Sequence, residues 1–143
     1  MGKVRDILQA KGNNNVYSVE PTTMVYQAIE QMCEKNIGGV LIMRDGKLEG
    51  IFTERDYARK LILKGKSSKT TPISELMTMN PITVTPDNSI EDCMNLMTNK
   101  YIRHLPVVEG DKLVGLISIG DVVKMIIEEQ KDIIEYLENY ISR

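Results

Sequence analysis

The chain has 143 residues, 42% of them hydrophobic and 27% charged, which suffices for one globular domain with a core and is too little for two large ones. Lys plus Arg is 18 and Asp plus Glu is 20, so the formal net charge of −2 gives no global field to draw in nucleic acid or an anionic membrane. One histidine and two cysteines cannot supply a four-ligand Cys/His zinc site, and a single histidine narrows the nucleophile–base schemes open to the chain.

The N-terminal Met1-Gly2-Lys3-Val4-Arg5-Asp6 has no apolar run behind it, which argues against a signal peptide, and no stretch approaches a membrane span of ~20 apolar residues. Asp6 stands where a myristoylation motif wants Ser or Thr. With no secreted-scaffold cysteine spacing, the expectation is a cytoplasmic protein without a structural disulfide. A polar loop, Lys11-Gly12-Asn13-Asn14-Asn15, precedes a short strand over 16–19. Val25, Ala28, Ile29, Met32 and Cys33 then recur at helical spacing, which predicts a helix with Cys33 on its core face. Strands over 40–43 and 48–53 form a hairpin around Asp45-Gly46, where Asp-Gly supplies the positive φ of a two-residue turn. A second helix begins near Glu54. Lys60, Lys64, Lys66 and Lys69, with no acid between Asp56 and Glu75, read as a solvated helix end and linker, or as an extension of a polyphosphate site.

The pattern then returns: a strand over 82–84, a helix with Ile90, Cys93, Met94 and Met97 on one face, and a hairpin of 105–108 and 113–118 around Gly110-Asp111. The final helix runs from about Ile119 to Ile141. Val123, Ile127, Gln130, Ile134, Leu137 and Ile141 form a heptad-like seam interrupted by Gln130. The outer part of this helix either folds back on its own module or packs on a second chain. Glu128, Glu129, Asp132, Glu135 and Glu138 make this helix acidic, which weighs against a membrane surface.

Sliding the sequence against itself by 65 residues aligns Val19 with Val84, Pro21 with Pro86, Met32 with Met97, Gly50 with Gly115 and Asp56 with Asp121. The leading segments 4–8 and 73–77 also correspond, with four extra residues in the first repeat's polar loop. Each repeat reads β-α-β-β-α. A repeat of ~60 residues would struggle to bury its sheet alone. The predicted fold is therefore α/β (α+β): two tandem repeats packed sheet to sheet with pseudo-twofold symmetry. Repeat one is 1–65, the linker 66–72, and repeat two, with the extended helix, 73–143.

Two stretches carry candidate chemistry, Gly50-Ile51-Phe52-Thr53-Glu54-Arg55-Asp56 and Gly115-Leu116-Ile117-Ser118-Ile119-Gly120-Asp121. Ser/Thr-x-x-Asp at a strand-to-helix junction has the form of a capping box. The same junction also suits a neutral ligand group that donates hydrogen bonds, because an ionised carboxylate only accepts; the vicinal hydroxyls of a ribose fit. Thr53 or Ser118 could bridge sugar and phosphate. Arg103 and His104, at the opening of a strand, make a phosphate clamp or a surface arginine beside a capping histidine. Their counterparts in repeat one are Gly38 and Gly39, so the two halves are chemically unequal.

The repeated G-h-h-[ST]-x-x-D, the Ile102-Arg103-His104-Leu105-Pro106-Val107-Val108 stretch and the 65-residue period resemble a cystathionine-β-synthase (CBS) domain pair, or Bateman module, over essentially the whole chain. More narrowly, it resembles small stand-alone CBS-pair proteins of bacteria and eukaryotic organelles. The resemblance implies adenine nucleotides (AMP, ADP, ATP, in some cases NAD or S-adenosylmethionine) bound in clefts between the repeats. One cleft would use Thr53, Arg55 and Asp56, with Pro81 and Ile82 against the base and Arg103 and His104 facing the phosphates. The other would use Ser118 and Asp121 with Val16 and Tyr17, bordered by Gly38 and Gly39. The count of basic groups favours the Asp56 cleft as the tighter phosphate site.

The expected function is a non-catalytic regulatory module that senses an adenine nucleotide and signals to a separate protein, as a homodimer, without nucleic acid, membrane, metal or catalytic cofactor. The alternative is a structural dimerisation module with vestigial clefts. An enzyme is disfavoured: there is no Walker-type Gly-rich loop, and His104 is the one obvious base.

Overall fold

The computed structural model describes residues 2–12 and 16–142, so Asn13, Asn14 and Asn15 of the polar loop lie outside the described residues. In chain order the elements are α1 (Val4–Lys11), β1 (Ser18–Val19), α2 (Val25–Lys35), β2 (Gly39–Arg44), β3 (Lys47–Thr53) and α3 (Glu54–Asp56), which continues as a π-helical turn (Tyr57–Leu61). A 3-10 turn (Ile73–Glu75), β4 (Thr78–Met79), α4 (Ile90–Lys100), β5 (His104–Glu109), β6 (Lys112–Ser118) and the long α5 (Ile119–Ile141) complete the mixed α/β chain. Strands β1-β2-β3-β4 form one sheet, parallel between β1 and β2 and antiparallel elsewhere; β5 and β6 form a second. Asp45 and Gly46 both take positive φ in the β2–β3 turn, whereas Gly110 alone does so in the β5–β6 turn.

The strand expected over 82–84 contracts to a single parallel bridge between Val84 and Val107. Pro106 is the cause. In repeat one the Leu41 N–H donates to the Tyr17 carbonyl at 3.1 Å. Pro106 is the counterpart of Leu41 and has no N–H to offer Ile82, so the ladder stops after the two bonds around Val84.

Two compact units divide the chain, one of residues 16–82 and 110–113, the other of 2–12, 83–109 and 114–142. Each leading segment thus packs with the opposite repeat. Ile73 N–H donates to the Thr23 carbonyl and Val25 N–H to that of Thr71; likewise Val4 N–H donates to Asn88 and Ile90 N–H to Gly2. The two sets match at an offset of 65 for the repeat bodies and 69 for the leaders, the difference being the four extra loop residues. Ile73, Leu76 and Met77 join Val25, Ala28, Met32, Val40, Ile42, Phe52 and Leu61 in one buried core. The basic linker is thereby tied down: the Ser68 and Thr71 carbonyls accept from the first N–H groups of α2, which no helical carbonyl can satisfy.

Gly50 and Gly115 lie where the leaders pass close to the sheet strands. A Cβ on Gly50 would lie 2.6 Å from Met77 Sδ and 2.8 Å from the Thr78 carbonyl oxygen; on Gly115 it would lie 2.7 Å from Leu8 Cδ2. A side chain can yield where backbone cannot. Gly50→Ala is therefore expected to cost about 2–3 kcal/mol and Gly115→Ala about 1 kcal/mol, as read by urea unfolding of the two variants. Equal costs would contradict this account of the contact.

Cys93 is fully buried, as expected, and burial pushes its thiol up to about 11, so it stays protonated and acts as an apolar filler. Cys33 is exposed, contrary to its expected core-facing place. The buried residues of α2 are Val25, Ala28 and Met32, and Cys33 lies past the edge of that stripe. Cys93 instead takes the position equivalent to Ala28. Both thiols are free.

Candidate functional site

Each repeat ends its hairpin by running a strand directly into a helix, and both junctions are closed by a reciprocal cap. At the first, Thr53 N–H donates to Asp56 Oδ2 at 2.9 Å and Asp56 N–H donates to Thr53 Oγ1 at 3.3 Å. At the second, Ser118 N–H donates to Asp121 Oδ2 at 2.9 Å and Asp121 N–H donates to Ser118 Oγ at 3.2 Å. The capping reading of both motifs is therefore realised in the structure. It also fixes the rotamers of two carboxylates at the mouth of a helix.

The carboxylates differ in what else they hold. Thr53 Oγ1 also donates to Asp56 Oδ2 at 3.1 Å, and Thr78 Oγ1 donates to Oδ1 at 3.2 Å. Lys60 Nζ, one helical turn on, lies 3.1 Å from Oδ1 and reaches the Leu76 carbonyl at 3.2 Å and Thr78 Oγ1 at 3.3 Å. The Lys60 ammonium thus ties Asp56 to the leading segment of the second repeat. Asp121 meets a different lysine: Lys11, at the end of α1, donates to Asp121 Oδ2 at 3.0 Å and to the Leu116 carbonyl at 2.9 Å. Neither lysine was singled out as an aspartate partner in the sequence. Lys60 is legible there as an i,i+4 pair with Asp56. Lys11 is not, because 110 residues separate it from Asp121.

Thr53, Arg55, Asp56, Pro81, Ile82, Val16, Tyr17, Gly38 and Gly39 belong to one compact unit; Arg103, His104, Ser118 and Asp121 belong to the other. Within the first, Gly39 faces Thr53 across β2 and β3, and Glu54 N–H donates to the Gly38 carbonyl at 3.0 Å. Within the second, Ile119 N–H donates to the Arg103 carbonyl at 2.9 Å. Each junction is thus bonded through the backbone to its own repeat, at the Gly38 carbonyl in the first and at the Arg103 carbonyl in the second. Arg103 is exposed, while His104, Pro81, Ile82, Val16 and Tyr17 are half-buried. Lys35 Nζ stands 5.5 Å from the centroid of the Tyr17 ring. Among the described residues no cluster of three His, Cys, Asp or Glu is placed to hold a metal ion, and no helix is long and apolar enough to cross a membrane.

A family model described as CBS domain matches residues 4–63 and again 73–128. The mitochondrial CBS domain-containing protein CBSX3 of Arabidopsis thaliana is 37% identical over 147 residues, spanning 97% of this chain and 71% of that protein. A solved structure of a protein with CBS domains from Burkholderia ambifaria MC40-6 is 47% identical with a TM-score of 0.86, covering 90% of this chain and 96% of that one. The crystal structure of CBSX2 in complex with AMP is 30% identical with a TM-score of 0.73, covering 91% and 99% respectively.

Proposed function

This chain belongs to the CBS-domain family, and from that premise we propose that it is a non-catalytic sensor of adenine nucleotides, in which Asp56 and Asp121 accept hydrogen bonds from ligand ribose hydroxyls. The observation that carries the reading is the AMP complex of a structure matching 91% of this chain. The two capped carboxylates support it: each is held in place by the backbone of its own helix mouth and is acceptor-only when ionised. Arg103 and His104 are the groups for the ligand's phosphate. The ligand acts on a partner by binding two arrangements of the chain with different affinity, the one way in which binding can shift such an equilibrium.

We also propose that the functional unit is a homodimer joined through the outer part of α5. Every described residue from 131 to 142 is exposed. The seam residues Ile134, Leu137 and Ile141 are 55%, 49% and 79% exposed, so this chain leaves them uncovered. The proposed location is the cytoplasm.

A thermal-melting screen with AMP, ADP, ATP, NAD+, NADH and S-adenosylmethionine, each at millimolar concentration, tests the sensor reading. A ligand at 100 times its dissociation constant adds about 2.7 kcal/mol, or roughly 5–10 °C for a chain of this size. The expected result is a rise confined to one or two of the six. No rise with any of them would favour a structural dimerisation module in which the two motifs serve as helix caps alone.

A further inference from the structure

The Asp56 carboxylate is already engaged on both oxygens within the chain. Oδ2 accepts from the Thr53 N–H and from Thr53 Oγ1, and Oδ1 accepts from Thr78 Oγ1 and Lys60 Nζ, so each oxygen holds two donors. The Lys60 ammonium is engaged as completely: its three donors meet Asp56 Oδ1, the Leu76 carbonyl and Thr78 Oγ1. A ribose hydroxyl donating to Asp56 therefore has to displace one of these groups. The Thr53 donors belong to the reciprocal cap, and their loss would open the helix mouth. Lys60 carries its ammonium on a flexible four-carbon stem and its side chain is 33% exposed, so the cation can withdraw into water. It lies in the π-helical turn Tyr57–Leu61 that follows Asp56, a departure from α-geometry of the kind frequent at functional sites. The equivalent stretch of α5 is regular α-helix, and the residue 65 positions after Lys60 is Met125.

We propose that Lys60 is an internal competitor for Asp56, holding the carboxylate until a ligand diol takes it, and so sets the affinity of this junction for a vicinal diol. The inference rests on the nucleotide reading above and specifies what restrains binding at Asp56. Lys60 and the diol need the same acceptor, Oδ1, because Oδ2 is held by the cap. Lys60 therefore lowers the affinity for the diol, although a cation near a nucleotide site would ordinarily be read as a phosphate group's partner. The pair is partly exposed, with side chains 33% and 12% accessible, so it contributes little to folding.

Isothermal titration with AMP and with 2′,3′-dideoxy-AMP tests this in the full chain carrying Asp121→Asn, where Asp56 is the remaining junction carboxylate and asparagine still caps α5. The ratio of the two affinities isolates the diol, since any effect of the lysine on the phosphate or the base is common to both titrants. Adding Lys60→Met, which installs the side chain that stands at Met125 in the second repeat, is expected to raise the preference for AMP over the dideoxy analogue about fivefold, the upper range for a partly exposed ion pair. A ratio that stays the same or falls overturns the proposal, because Lys60 then does not compete with the diol. If AMP binds the wild-type chain but not the Asp121→Asn chain, the Asp56 junction takes no ligand, and the proposal fails while the nucleotide reading stands. If AMP does not bind the wild-type chain, the nucleotide reading fails, and this inference with it.

Discussion

Leu76→Ala lowers the stability of the chain by about 2–5 kcal/mol, and Ile7→Ala does the same, the range for emptying a buried aliphatic site. Both follow from the exchange of leading segments. Leu76 and Ile7 are equivalent at the 69-residue offset and are 0% and 2% exposed. Leu76 stands in sequence at the head of the second repeat but shares the buried core of Phe52, Val40 and Ile42 from the first. Ile7 lies on α1, at the head of the first repeat, and α1 belongs to the unit containing most of the second. If each repeat closed on itself and the leaders were loosely attached tails, both truncations would cost only what a surface residue costs, within about 0.5 kcal/mol. Urea unfolding of the two variants separates these outcomes.

Placing charge on the outer seam, as Ile134→Asp together with Leu137→Asp, is expected to turn the proposed dimer into a monomer at micromolar concentration and to weaken association about 100-fold or more, because a buried, unpaired carboxylate costs several kcal/mol. Both residues are already exposed within the chain, so the fold loses little. Sedimentation velocity of the wild-type and doubly substituted chains reads the change, with the melting temperature as a control on folding. A wild-type chain that sediments as a monomer, or a variant that associates as tightly as the wild type, would place the interface elsewhere or exclude it.

Much of the fold was legible because both repeats carry their own local signals. The helical stripe from Val25 to Met32, the Asp45-Gly46 turn and the capping boxes at Thr53 and Ser118 each depend on residues a few positions apart. The exchange of leaders was not legible. Segments 4–8 and 73–77 have the same apolar spacing, and nothing in either states which repeat it will cover. The missing strand at 82–84 was readable in principle, since Pro106 visibly lacks the N–H that Leu41 supplies. Cys33 was misplaced because position i+8 of a helix falls at the margin of the buried arc, where packing rather than periodicity decides.

At the candidate site, the residue types and their spacing were readable, but their further partners were not. Asp56 and its Lys60 lie on one helical face four residues apart, a local signal. Lys11 and Asp121 meet because α1 joins the unit formed by the opposite repeat. Without that topology, Lys11 is one more cation beside a polar loop. The chemical inequality of the two halves was visible in Gly38-Gly39 against Arg103-His104.

The claim that the two junction carboxylates bind an adenine nucleotide is met most directly by titrating AMP calorimetrically into the wild-type chain and into the Asp56→Asn, Asp121→Asn double variant at equal concentration. The account predicts saturable heat for the wild type and none for the double variant, with both chains folded at the temperature used. Equal binding by the two chains would contradict it.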